Sequence, residues 1–175
     1  MKKIQYLIIA LSIFLVGSCS HKFDSNTLGL EFYQWNLWQD TGDHQGDDLP
    51  SCGWDDLHRG KGKLVRIPAS LEEHFQGFEN TDVFWYHCRF TLPEQWEDKK
   101  ITLLIEEAGP SLKIFLNEEE VGSFQGEEEY FTMDVSDLIY YTRDNHLSIR
   151  ISDAKARTDG KLNGISGTIL VKSGN

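Results

Sequence analysis

Two tryptophans, Trp38 and Trp54, border or enter a polar stretch, residues 39–62, that is rich in Gly, Asp and His. An indole face stacks on the C–H face of a sugar ring, and nearby Asp, Asn or Arg groups bond the ring hydroxyls. Both tryptophans are therefore candidates for a saccharide platform. A second polar loop runs from Asp153 to Asn163 and carries Arg157 and Asp159. The spacings that other chemistries need are missing. His44, His58, His74, His87 and His146 are scattered, with no HExxH among them. Cys52 and His58 could share a zinc ion, but no second pair at ligand spacing accompanies them. Asp40, Asp43, Asp47 and Asp48 could offer oxygens to a structural calcium, without the EF-hand order; the plain alternative is a solvated acidic loop. No other cofactor is implied. Glycoside hydrolysis needs two carboxyls roughly 5–9.5 Å apart across a pocket. Here the acids gather in turns, and the adjacent Glu106 and Glu107 point to opposite faces of a strand end. Gly164-Ile165-Ser166-Gly167 is one residue short of a nucleophile elbow. Neither a P-loop nor a dinucleotide fingerprint occurs.

The amino-terminal residues specify a different kind of chemistry. Lys2 and Lys3 precede an apolar run over residues 4–16, which ends in Val16-Gly17-Ser18-Cys19. The run is shorter than the roughly 20 residues a bilayer-spanning helix takes. Small residues before a cut are what a signal peptidase requires, and the Cys that follows resembles the acylated cysteine of bacterial lipoproteins. The reading is a leader over residues 1–18, lipidation at Cys19, a polar tether over 19–27 and one domain over 28–175. Two or more acyl chains anchor stably. The expected location is therefore the cell envelope: the outer membrane or cell surface if the organism is Gram-negative.

The whole sequence carries a net charge of −11, and the leader holds two of its lysines and no acid, so the remainder is more acidic still. That excludes nucleic acid as a partner and disfavours docking on anionic lipid heads. Cys52 and Cys88 lie in a part of the chain expected to meet an oxidising compartment, so a disulfide between them is open. A free, buried Cys88 is the favoured alternative, because it shares a strand face with Tyr86 and Phe90.

These candidates need elements to position them, and the hydrophobic pattern has a period of two. Over 83–92, Phe84, Tyr86, Cys88, Phe90 and Leu92 share one face. Residues 101–106 form an apolar run. Leu112, Ile114 and Leu116 alternate, as do Phe131, Met133 and Val135, and then Leu147, Ile149 and Ile151. A last strand falls near 168–171, and earlier ones near 30–38 and 64–67. Frequent short strands with turns between them indicate a sandwich or barrel. Residues 39–62 read as a long loop, of the kind often given to function. Asn117 suits a positive φ in a hairpin, Ser136 suits a cap, and Asp134 and Asp137 suit a turn.

From Ile67 to Val171 the order of residues resembles a known domain. The series is Ile67-Pro68-Ala69-Ser70, then Trp85-Tyr86, Phe90-Thr91-Leu92-Pro93, Trp96 and Lys99-Lys100. It continues with Phe115-Leu116-Asn117, Val121-Gly122, Asp134-Val135-Ser136-Asp137-Leu138, Asn145-His146-Leu147-Ser148-Ile149-Arg150 and Gly164-Ile165. This resembles the N-terminal sugar-binding domain of family 2 glycoside hydrolases, the β-galactosidase and β-glucuronidase group. The resemblance implies an all-β, antiparallel jelly-roll β-sandwich of the galactose-binding-like class, with Trp35, Trp85 and Trp96 packed in its core. It also implies that the loop holding Asp153, Arg157, Asp159 and Asn163 lies near a sugar. The family's hairpin Asn-Gly is Asn117-Glu118 here, and the aromatic after the last Gly-Ile is Ser166. The family's catalytic groups sit on a separate barrel of roughly 250 residues, for which this sequence has no room. The expected function is non-catalytic recognition of a glycan or glycoconjugate by an envelope lipoprotein. The alternatives are a structural sandwich that holds an envelope protein partner, and the N-terminal part of a split family 2 hydrolase.

Overall fold

The computed structural model describes residues 26–42, 48–76, 81, 83–125, 130–154, 161 and 163–174. Cys19, Arg157 and Asp159 lie outside the described residues, as do Asp43, His44 and Asp47. The period-two alternation produces what it implies, an all-β antiparallel sandwich. One sheet has six strands: β3 (Lys63–Val65), β2 (Trp35–Gln39), β5 (Phe84–Phe90), β11 (Asn145–Ser152), β8 (Ser111–Leu116) and β9 (Glu119–Gln125), in that order. The second has four: β1 (Thr27–Gly29), β13 (Ile169–Ser173), β6 (Ile101–Glu106) and β10 (Tyr130–Asp134). Three two-residue strands, β4 (Ala69–Ser70), β12 (Gly164–Ile165) and β7 (Ala108–Gly109), form a small third sheet. Every sheet pairing is antiparallel.

The core lies between the two large sheets. Trp35, Leu37, Phe84, Tyr86, Phe90, Ile114, Leu116, Leu147, Ile149 and Ile151 from the six-stranded sheet pack with Ile101, Leu103, Ile105, Phe131, Ile169 and Val171 from the other. Buried groups that must bond do so: Trp35 Nε1 donates to Leu30 O at 2.9 Å, and Tyr86 Oη donates to Ala69 O at 2.8 Å. Asn117 has φ of 52°, as its place in the hairpin demands, and its side chain joins Leu138 O, Asn145 Oδ1 and the His146 N–H. Asp134 accepts from the N–H and hydroxyl of Ser136, which closes that turn on itself. The stretch expected as one strand over 30–38 is divided. Leu30–Phe32 form a single 3-10 turn, and pairing begins at Trp35.

Two expectations are corrected by the sidedness of β5. Trp85 does not enter the sandwich core; it points to the outer face, where it packs with Leu57, Val83 and Phe115 against Trp38, Cys52 and Trp54. Cys88 points inward, into the main core. The two cysteines thus lie on opposite sides of one sheet, and both are free thiols. A Cys52–Cys88 disulfide would have to pass through the sheet, so that bridge is not formed.

Candidate outer-face site

The outer face of the six-stranded sheet is built in rows. Pairing sets Trp38, Trp85, Arg150 and Lys113 side by side, then Asn36, His87, Ser148 and Phe115, then Arg89 and His146. Such a polar, aromatic face would ordinarily meet water. Here helix α1 (Trp54–His58), within the 39–62 stretch, lies over it. A five-residue helix has too few bonds to stand alone. Leu57 is fully buried on the sheet, and Trp54 meets Trp85 edge-on at 5.7 Å and Phe115 at 5.2 Å. Trp54 is therefore half-buried packing rather than a freely exposed platform. Trp38 is half-buried beside it, with Lys61 Nζ 5.3 Å above its ring.

Acidic residues tie the stretch down. Asp40 is buried, and its carboxylate accepts from Trp85 Nε1, Gly42 N, Ser51 N and the Ser51 hydroxyl. Asp48 binds Lys113 and reaches Arg150 at 3.6 Å; its hydrogen bond raises the Lys113 ammonium above its ordinary value. The oxygens of these two residues thus face N–H donors and cations, the partners of a structural acid. Gly62 returns the chain to the sheet edge at φ of 105°, where a Cβ would lie 2.4 Å from Leu37 O.

Between the end of α1 and the sheet edge is an open cleft of about 620 Å³. Tyr33, Gln34, Asn36, Arg59, His87 and Arg89 line it. It offers an aromatic wall, two carboxamides and two guanidinium groups; Arg59 and Arg89 each also reach a carboxylate, Asp56 at 3.3 Å and Asp144 at 3.5 Å. Sequence reasoning missed this cleft, since Gln34, Asn36 and Arg89 are unremarkable residues until pairing aligns β2 with β5.

Three histidines that look scattered along the sequence also meet here. The rings of His58 and His146 stack at 4.1 Å, those of His58 and His87 at 5.1 Å, and His87 Nε2 faces His146 Nδ1 at 3.1 Å. Burial pushes the His58 imidazole down to about 4, helped by His146. Burial, with His58, His146 and Arg89 nearby, pushes His87 down to about 3. Burial also lowers His146. Burial thus favours the neutral form of all three. The only signal available in the sequence was the outward register of His87 and His146 on adjoining strands; nothing local tells where His58 goes.

The other proposed sugar contacts do not join this group. Asn163 is buried on the inner side of the six-stranded sheet, where its N–H and Nδ2 donate to Glu72 and its O accepts from Leu71 N. Its neighbour Gly164 lies against Tyr86 Oη, an inward-facing group. Asp153 is exposed and accepts from the Ser111 hydroxyl at 2.6 Å.

No family model matches the chain, and no curated protein matches it. Solved structures do. A β-glucuronidase from Ruminococcus gnavus in complex with uronic deoxynojirimycin is similar at TM-score 0.66 and 19% identity, over 84% of this chain and 29% of that one. A family 2 glycosyl hydrolase from Bacteroides cellulosilyticus gives 0.67 and 16%, over 86% and 21%. A calcium-binding mutant of Bacteroides uniformis β-glucuronidase 2 gives 0.65 and 19%, over 84% and 18%. The chain spans less than a third of the length of each. By fold, then, this chain is an antiparallel β-sandwich of the kind that family 2 glycoside hydrolases carry as one part of a longer chain, consistent with their N-terminal domain.

Proposed function

We propose that the chain is a non-catalytic carbohydrate-recognition protein, held at the cell envelope by lipid on Cys19, and that the saccharide lies in the outer-face cleft. The observation that carries this reading is the correspondence of nearly the whole described sandwich to a minor share of glycoside hydrolases. Some of those hydrolases are held in complex with D-glucuronic acid or its analogues. The cleft supplies the groups a sugar needs: Tyr33 for stacking, Gln34 and Asn36 for hydroxyls, and Arg59 and Arg89 for an acidic substituent. Asp153, Arg157 and Asp159 remain candidates for a second contact surface, while Trp38 and Trp54 pack beside Trp85 outside the cleft lining.

A saccharide panel that includes glucuronate-terminated oligosaccharides tests the reading by calorimetry. At least one ligand is expected to bind, and Asn36→Ala and Arg89→Ala are each expected to weaken it by tenfold or more. Absence of binding across the panel contradicts it. Anchoring is a separate measurement. Metabolic labelling with a fatty acid is expected to mark the chain, and Cys19→Ser to abolish the label.

A further inference from the structure

We propose that His58, His87 and His146 form a binding site for one divalent transition-metal ion, zinc foremost, which clamps helix α1 to the six-stranded sheet. One ligand nitrogen from each residue lies within 4.8 Å of the other two. The three come from separate elements: the end of α1, the outer face of β5 and the outer face of β11. Imidazole donors select zinc, copper or nickel over calcium or magnesium. Three histidines with a fourth position left open is an established zinc arrangement.

One ligand nitrogen is poorly served without an ion. His58 Nε2 is buried and has no hydrogen-bond partner. Buried polar atoms are nearly always paired, and a bound ion or water is the standard reason when they look orphaned. His58 Nδ1 lies 3.7 Å from Glu118 Oε1, so Nε2 is the nitrogen left for an ion. The ring stacks on that of His146 at 4.1 Å and must tilt from it for the lone pairs to converge. A carboxylate behind a ligating histidine sets its tautomer in many metal sites. His87 and His146 now share one proton across 3.1 Å. When an ion enters, the rings turn about their Cβ–Cγ bonds until the lone pairs meet off that line. The shared proton moves to the far nitrogen of its own ring, so neutral rings bind without net proton loss. Two nitrogens about 3.1 Å apart, each roughly 2.0–2.1 Å from one ion, subtend an angle near 100°, close to tetrahedral. This inference does not depend on the carbohydrate reading, since ion binding is measured with no sugar present.

Cobalt(II) titration of the purified, tag-free full chain, read by visible d–d bands, tests it. We expect one equivalent with intense four-coordinate bands, displacement by zinc, and an unfolding midpoint that rises with metal concentration. His58→Gln and His146→Gln are each expected to weaken binding at least a hundredfold, and His74→Gln to leave it unchanged. If either of the first two fails to fold by circular dichroism, zinc-edge X-ray absorption of the unaltered chain decides. Three imidazole nitrogens at roughly 2.0–2.1 Å support the site. No binding of cobalt or zinc, binding that survives both substitutions, or a shell without imidazoles overturns it.

Discussion

At the scale of residues, Asp40 shows how one buried carboxylate organises a surface. It holds Trp85 Nε1 and both the N–H and hydroxyl of Ser51, across 45 and 11 positions of sequence. Asp40→Ala removes charge-assisted bonds and leaves an indole N–H unpaired, so we expect a loss of about 2–4 kcal/mol in urea unfolding. The thiols make a second prediction. Alkylation in denaturant without reductant is expected to label Cys52 and Cys88 together by mass spectrometry. In the native chain Cys88 is expected to resist, since burial pushes its thiol up to about 12. Some residues could be understood before any coordinates. Asn117 and Asp134 were legible as turn residues because their chemistry is local. Asp40 was not, because its partners are set by tertiary pairing, and an acid in a Gly-rich stretch looks like any solvated acid.

Helix α1 is the element on which the candidate site depends. Leu57 is its one fully buried aliphatic side chain. Leu57→Ala is expected to cost about 2–5 kcal/mol and to shift tryptophan emission to the red as Trp54 leaves Trp85. Hydrogen exchange in β6 and β11 is expected to stay slow, because the main core is untouched. The long strands were visible in the sequence from alternation alone: residues 101–106 are β6, and the Leu147, Ile149, Ile151 series is β11. Helix α1 was hidden for a physical reason. Five residues cannot show a helical period, and the element exists only because the sheet beneath it supplies a surface. The same logic explains Gly164, which has φ of 117° and whose Cβ would meet Tyr86 Oη at 2.6 Å and Ala69 O at 2.7 Å. Gly164→Ala is expected to lower the unfolding midpoint through strain and displacement of the Tyr86 hydroxyl, by roughly 1–3 kcal/mol.

At the scale of the whole molecule, the sandwich buries one face of its six-stranded sheet in the core and leaves the other partly roofed by helix α1. The fold was readable because burial between sheets imposes a period of two on many strands at once. The surface was less readable. Trp38 and Trp54 meet in one outer-face cluster with Trp85 but do not line the cleft, Asn163 belongs to the opposite side, and the cleft residues gain meaning only from strand register. If recognition is what this surface does, the ligand must be seen to sit there. The direct measurement is a ¹H–¹⁵N NMR titration of the chain with the best saccharide from the panel. Saturable shifts centred on Tyr33, Gln34, Asn36, Arg59, His87 and Arg89 are expected. Saturable shifts confined to the four-stranded sheet or to the region of Asn163, with those six residues unmoved, would contradict it.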